Sequence, residues 1–112
     1  MNSQEQKEVA ATILQQLGNN RFIAMTGAKN FVYSTTEQGD VRLSFKIGRN
    51  ARRINHVRIT LNSMDLYDTE YLWVTSKGIS VKSQSSGIYN DMLRHDFESA
   101  TGMYTSLGSM SV

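Results

Sequence analysis

The spacing of apolar residues changes along this chain, from a helical period to a strand period and back again. Residues 4–17 carry apolar side chains at intervals of three and four, which predicts an amphipathic helix. Residues 41–47 alternate strictly between apolar and polar side chains, which predicts a strand with one buried face. Residues 88–101 return to the helical spacing. A chain patterned in this way is expected to fold as an α+β domain.

About six short strands are predicted between the two helices. They cover residues 21–25, 31–35, 41–47, 56–61, 66–74 and 79–82. Because each helix has one apolar face to bury, we expect an antiparallel sheet of five to six strands with both helices on one face. Residues 1–112 are expected to form a single domain, with residues 103–107 docked as a last short segment and residues 1–3 and 108–112 frayed.

The residue types that are missing exclude several classes of protein. The chain has no cysteine, which excludes a disulfide-linked scaffold, a cysteine-ligated metal site and thiol catalysis. No apolar run approaches the roughly 20 residues that cross a bilayer. Residues 1–7 are too polar for the core of a signal peptide. We therefore expect a cytoplasmic protein.

Positive charge is concentrated in the middle of the chain, although the formal net charge is only +2. Residues 41–60 contain half of the twelve lysines and arginines and no acidic residue. These six cations are Arg42, Lys46, Arg49, Arg52, Arg53 and Arg58. Antiparallel pairing of the two strands around residues 48–53 would place three of them on one sheet face and the other three at its end. Such a surface is typical of a polyanion site, but a loop kept soluble by its charge has the same pattern.

Two further residues are candidates for this surface. His56 is expected on the same outward side of its strand as Arg58, where it would form hydrogen bonds or make a minor contribution to phosphate binding. Tyr33 would stack on a nucleobase if it shares the face with the cations. Packing in the core is the alternative for Tyr33 and for the other strand aromatics, because the pattern of residues 66–74 leaves open which face is buried. Those aromatics are Tyr67, Tyr71 and Trp73.

Constellations that could support catalysis are weak. Asp65, Asp68 and Glu70 form the tightest acidic group, yet alternating acids on an exposed strand after a turn are commoner than a metal site. His95 and Asp96 are expected on the exposed side of the second helix as a surface pair. We therefore expect no enzyme, no cofactor and no metal ion.

Five short segments between about residue 17 and residue 107 support a family resemblance. They are residues 25–30 (MTGAKN), 43–47 (LSFKI), 55–61 (NHVRITL), 65–68 (DLYD) and 101–107 (TGMYTSL), together with Tyr89 and Leu93. In these segments the chain resembles a family of small, mostly uncharacterised proteins of bacteriophages and related mobile elements. The family has no known reaction, so the resemblance implies no catalytic residue. It implies a phage or prophage setting, where small proteins commonly bind nucleic acid or block a host protein.

Three functions remain open at this stage. The first is a non-enzymatic accessory protein that binds DNA or RNA through the basic strand–loop–strand surface. The second is an inhibitor of an acidic host protein, such as a counter-defence protein of the anti-CRISPR kind, in which the same arginines engage the partner. The third is a structural subunit that forms a homodimer or larger assembly through an open sheet face or edge. Nucleic-acid binding is our first expectation.

Overall fold

A computed structural model describes residues 3–106 as a five-stranded antiparallel sheet with three α-helices. The helices are α1 (Ser3–Leu17), α2 (Asn19–Thr26) and α3 (Leu93–Thr101), with a 3-10 turn at Asn90–Met92. The strands are β1 (Lys29–Thr35), β2 (Val41–Lys46), β3 (His56–Leu61), β4 (Tyr67–Thr75) and β5 (Gly78–Ile88). Each strand pairs with its neighbour in the chain, so the sheet is a meander. The predicted α+β class, with a helix at each end, is confirmed.

The helices pack on one face of the sheet and bury it. The alternation predicted for β2 and β3 is confirmed, because the apolar side chains of both strands point to this face. They are Leu43, Phe45, Val57 and Ile59, each at most 3% exposed. Phe22 of α2 and Phe97 of α3 complete the core, with ring centroids 5.0 Å apart in an edge-to-face arrangement. The core therefore lies between the helices and the middle of the sheet.

The aromatic side of β4 faces the helices, which decides the question that the sequence pattern leaves open. Tyr67, Thr69 and Tyr71 are all buried. The hydroxyl groups of Thr69 and Tyr71 each donate a hydrogen bond of 2.7 Å to Oδ2 of Asp96 in α3. Asp96 is therefore half-buried and bonded to the sheet, whereas His95 is exposed, so the expectation of an exposed His95–Asp96 pair is wrong for Asp96. Buried hydroxyls need an acceptor, and the helix supplies one.

Residues 21–25, which the pattern predicts as a strand, lie in α2. α1 ends at Leu17, as the pattern predicts, and Gly18 follows with a φ of 126°, but the chain resumes a helix directly afterwards. Phe22 and Thr26 are four residues apart and are both buried, so one helical face meets the core. A short apolar run fits a strand or a buried helix equally well, which is why the pattern misassigns it.

Residues 83–87, predicted as a polar connection, belong to β5. This strand is an edge of the sheet, and most of its residues are exposed. Its backbone pairs with β4, for example with Ser85 opposite Thr69. Small polar side chains are compatible with an edge strand because they face solvent and need no apolar partner.

The second predicted helix begins later than residue 88. α3 starts at Leu93, and its buried stripe consists of Leu93 and Phe97 with Thr101. Tyr89 and Met92 precede it and are 66% and 47% exposed, so neither belongs to the stripe. The helix ends at Thr101, as predicted, and Gly102 follows in the left-handed conformation.

The segment after α3 docks on the helix, as predicted, through residue 106. Thr105 is buried, and both its backbone N–H and its hydroxyl donate to Oε2 of Glu98, at 2.8 and 2.9 Å. Ser3 is already helical, whereas residues 1–2 and 107–112, and the predictions made for them, lie outside the described part of the chain. No helix of residues 3–106 has the length and hydrophobicity needed to span a membrane.

Candidate nucleic-acid interface

The sheet face away from the helices presents the predicted strand cations. β2 and β3 pair in antiparallel fashion, as predicted, and directly opposed residues point to the same side. The predicted site residues that share this open face are Arg42, Lys46, His56 and Arg58. Lys29 of β1 lies opposite Lys46 and adds a cation that was not predicted. The pairing thus converts a cluster in the sequence into a continuous surface.

An acidic residue of β4 lies between two of these arginines. Oε1 of Glu70 is 3.8 Å from Nη2 of Arg42 and 3.9 Å from Nη1 of Arg58. Nε of Arg42 also donates a hydrogen bond of 3.1 Å to the hydroxyl of Thr60. Exposed ion pairs of this length add little to stability, but they reduce the charge that a ligand meets. The acid-free stretch of sequence therefore acquires an acidic neighbour when the sheet forms.

Arg52 contacts α3. Its Nη1 atom donates to the carbonyl oxygen of Ser99 and, at 3.1 Å, to that of Ala100. The last carbonyls of a helix have no intrahelical partner, and the helix dipole favours a cation there. Arg52 therefore binds the C-terminal end of α3, and its charge stabilises the fold there.

The loop between β2 and β3 is held by two asparagine side chains. Nδ2 of Asn50 donates to the carbonyl oxygens of Gly48 and Ile54, at 3.0 and 2.6 Å, and its Oδ1 accepts from two loop N–H groups at 3.1 and 3.2 Å. The amide of Asn55 exchanges two hydrogen bonds of 2.8 Å with the backbone of Val74 in β4. The Asn50 amide uses both of its N–H groups and both acceptor positions in these bonds, and the Asn55 amide uses one of each, so the loop is held in one conformation.

Gly48 allows the loop to approach α2 closely. The N–H of Gly48 donates a hydrogen bond of 2.8 Å to the carbonyl oxygen of Thr26. A Cβ atom at position 48 would lie 3.1 Å from that same oxygen, closer than normal van der Waals contact. A side chain here would therefore require the loop or the end of α2 to shift by a few tenths of an ångström.

Arg49 and Arg53 lie at the exposed end of this loop, beside Trp73 of β4. Both arginines are exposed, whereas Trp73 is partly buried. The three side chains line one cleft of about 420 Å³, together with Ile54 and Asn55. Charged and aromatic groups thus meet in a concave site at the loop end of the sheet.

Four cations at this end of the sheet have no hydrogen bond or ion pair from their side chains within residues 3–106. They are Lys29, Lys46, Arg49 and Arg53, and we call them the basic rim. Lys29 and Lys46 are paired across β1 and β2, and Lys46 directly precedes the loop that carries the two arginines. The basic rim is therefore the part of the predicted surface whose charge is available to a ligand.

The surroundings of His56 disfavour its protonated form. Partial burial lowers its pKa below the ordinary value of 6.5, and the neighbouring Lys46 and Arg58 lower the pKa further. Its Nδ1 atom is buried without a hydrogen-bond partner among the described residues. The structure therefore gives no support to phosphate binding by a protonated His56.

Tyr33 lies on the other face of the sheet from the strand cations. It is opposite Leu43, whose side chain is in the core, and it is 39% exposed because β1 is an edge strand. The register therefore excludes the shared face on which base stacking by Tyr33 depends. Tyr67 and Tyr71 are core residues, so of the four aromatics considered Trp73 is the one that lines a cleft with cations, the loop arginines Arg49 and Arg53.

The acidic residues of β4 and its preceding turn do not converge. Oδ1 of Asp68 accepts hydrogen bonds of 3.1 Å from the Asn62 side chain and from the N–H of Gly87. Glu70 faces the arginines, and Asp65 is exposed in the turn. Among residues 3–106 there is no group of three His, Cys, Asp or Glu side chains that could hold a metal ion.

The sequence pattern does not single out Trp73 or Lys29. Alternation along β4 assigns Trp73 to the same side as the buried Tyr71, and only the position of the β2–β3 loop reveals that it borders a cleft. Lys29 falls in a segment that reads as a turn, because the β-bulge between Lys29 and Val32 interrupts the alternation of β1. The one sequence feature that could have drawn attention to Trp73 is that it is the single tryptophan of the chain.

Comparisons with known proteins do not assign a function. No protein-family model, no curated protein and no solved structure matches the chain. The geometry of the described residues is therefore what indicates a function.

Proposed function

We propose that this protein binds nucleic acid, without catalysis, through the basic rim at the loop end of the sheet. The observation that supports this proposal is that four cations without a protein partner among the described residues lie at the loop end of the sheet. The formal net charge of the whole protein is only +2. Neutralisation of phosphates by lysine and arginine supplies most of the affinity of non-specific nucleic-acid binding. Arginine also matches the geometry of a phosphate with two parallel hydrogen bonds.

The other predicted cations contribute less to the proposed binding, because protein groups already engage them. Arg42 and Arg58 share Glu70, and Arg52 is bound to the end of α3. The proposed contact surface is therefore smaller than the sequence count of six cations indicates. It is centred on the β2–β3 loop, with Arg42 and Arg58 at its margin.

The proposal extends to the biological setting that the family resemblance implies. In that setting the protein is an accessory protein of a bacteriophage or mobile element and acts in the cytoplasm of the host cell. A map of the neighbouring genes tests this part. Phage or mobile-element genes on both sides are expected, and a position among conserved housekeeping genes would count against it.

A binding assay with matched charge variants tests the proposed function. Labelled single-stranded DNA, duplex DNA and RNA of one sequence are titrated at low salt, with fluorescence anisotropy as the readout. The double variant Arg49→Ala, Arg53→Ala is expected to weaken binding by about tenfold or more, because two phosphate contacts are lost. The control variant Lys7→Ala, Arg21→Ala removes the same charge from exposed positions of α1 and α2 and is expected to bind normally. Absence of binding at low salt would overturn the proposal.

A second candidate function, binding to an acidic host protein, is favoured by apolar side chains on the open face. Ile79 and Val81 of β5 are 58% and 52% exposed and lie opposite Val74 and Leu72 of β4. An apolar patch on the same sheet face as cations such as Lys46 is typical of a protein interface. The variant Ile79→Ser, Val81→Ser separates the two functions, because it should abolish protein binding and leave nucleic-acid binding intact.

Self-association is a third candidate, because the sheet has two edges, β1 and β5. Light scattering after size exclusion tests it directly. A monomer at high protein concentration would remove the homodimer from consideration.

A further inference from the structure

We infer that the cleft between Trp73 and the β2–β3 loop takes one unstacked nucleobase, so that the protein prefers single-stranded to duplex nucleic acid. This inference rests on the proposed function and names the form of the ligand and the place of one of its bases. Bases in a duplex are stacked on both sides and cannot reach an aromatic side chain in a cleft without unpairing. A single strand presents its bases without that cost.

The chemistry of the cleft fits a nucleotide. Trp73 offers an aromatic surface, Ile47 and Ile54 add apolar wall, and Arg49 and Arg53 supply positive charge at the opening. Its volume of about 420 Å³ lies in the range of small-ligand sites. A base stacked on the indole would leave its phosphates within reach of arginines that have no protein partner.

The cleft is formed before any ligand binds. Asn55 fixes the backbone of Val74, the residue next to Trp73, with two hydrogen bonds of 2.8 Å. Asn50 fixes the loop that carries both arginines, and Gly48 holds that loop against α2. A preformed site binds more tightly because less conformational freedom is lost on binding.

The same hydrogen bonds predict weak preference among bases. The amides of Asn50 and Asn55 are the polar side chains of the cleft besides the arginines, and their oxygen and nitrogen atoms all bind backbone groups. Asn50 therefore has no group left to read the edge of a base, and Asn55 has one N–H and one acceptor position left, which is a small set for telling bases apart. Stacking accepts every base because each has an aromatic face.

Intrinsic fluorescence tests the inference directly, because Trp73 is the only tryptophan of the chain. Unlabelled single-stranded oligonucleotides, such as a run of thymidines, are titrated into the wild-type protein. Quenching of the Trp73 emission is expected to saturate with the same dissociation constant as anisotropy of a labelled strand. A duplex of equal length is expected to bind at least about tenfold more weakly and to leave the emission unchanged.

Substitution of Trp73 supplies the second arm. Trp73→Ala is expected to weaken single-strand binding about tenfold or more, and Trp73→Phe to retain part of the affinity because a smaller aromatic ring remains. Tyr89→Ala is the control, since Tyr89 is 66% exposed and follows Ile88, which pairs with Tyr67 at the other end of β4 from Trp73. If Trp73→Ala does not fold by circular dichroism, the phenylalanine variant and the wild-type fluorescence still decide the question.

The outcomes separate this inference from the proposed function. Single-strand binding without quenching, or equal affinity for single strands and duplex, would overturn the stacking site and leave nucleic-acid binding in place. Failure to bind any nucleic acid at low salt would overturn both.

Discussion

Nη1 of Arg52 donates a hydrogen bond of 3.1 Å to the carbonyl oxygen of Ala100, near the C-terminal end of α3. This contact joins the β2–β3 loop to the last helix. It also separates Arg52 from Arg49 and Arg53, whose side chains form no hydrogen bond or ion pair within residues 3–106. Arginines that are near neighbours in the sequence therefore have different roles, one in the fold and two at the surface.

Replacement of Arg52 should reduce stability. Arg52→Ala removes hydrogen bonds to two helix carbonyls and a cation at the negative end of the helix dipole, so the free energy of unfolding should fall by about 1–2 kcal/mol. Arg49→Ala should change it by less than about 0.5 kcal/mol, because the side chain is exposed. Urea unfolding followed by circular dichroism measures both variants. Equal stability of the two would contradict the division of roles.

Removal of the Glu70 charge should strengthen nucleic-acid binding. Glu70→Gln releases Arg42 and Arg58, each now within 4 Å of that carboxylate, to interact with phosphate. Glu8→Gln is the matched control, because it removes one negative charge from an exposed position of α1. Anisotropy titrations at one salt concentration should show a larger gain for Glu70→Gln. The same gain in both variants would mean that only net charge matters.

The half-buried carboxylate of Asp96 should be important for stability, because it accepts hydrogen bonds from two buried hydroxyls. Asp96→Ala leaves the hydroxyls of Thr69 and Tyr71 without their acceptor, which should lower the free energy of unfolding by about 2–4 kcal/mol. Tyr71→Phe removes one donor and leaves no unpaired group on its own side chain, so its effect should be smaller. Chemical denaturation of both variants gives the comparison. A larger loss for Tyr71→Phe would be evidence against this hydrogen-bond arrangement.

Acid should destabilise the protein in part through His56. Because the pKa of His56 is lower in the folded protein than its ordinary value of 6.5, the unfolded chain binds the proton more readily. Its contribution to stability is therefore complete above about pH 6.5 and is lost as the pH falls from there through the folded pKa. The free energy of unfolding is measured for wild type and His56→Gln from pH 7.5 to 5. As the pH falls, the wild type should lose more stability than the variant. A difference independent of pH would contradict this sign.

The sequence predicts those parts of the fold that depend on local periodicity. Strict alternation in residues 41–47 is sufficient to assign the buried face of β2, and the short β2–β3 connection is sufficient to pair it with β3. The shared face of Arg42, Lys46 and Arg58 follows from that pairing. These predictions hold because period and register belong to the strands themselves.

Features that depend on packing between distant segments could not be predicted. Asp96 faces the sheet because two buried hydroxyls of β4 need an acceptor, and nothing near Asp96 in the chain indicates them. Glu70 and Arg42 lie close together only because their strands, β4 and β2, both pair with β3. Trp73 borders the cleft because the β2–β3 loop lies against it. The charge pattern of the sequence thus indicates the region of the candidate site, whereas tertiary contacts determine which of its cations are free to bind a ligand.

The salt dependence of single-strand binding tests the central claim most directly. If the four cations of the basic rim contact phosphates, the slope of log K against log salt should be about −2.8, from roughly 0.7 per contact. Arg49→Ala, Arg53→Ala should make the slope shallower by about 1.4, and Lys7→Ala, Arg21→Ala should leave it unchanged. A slope near zero, or the same change in both double variants, would contradict binding through the basic rim.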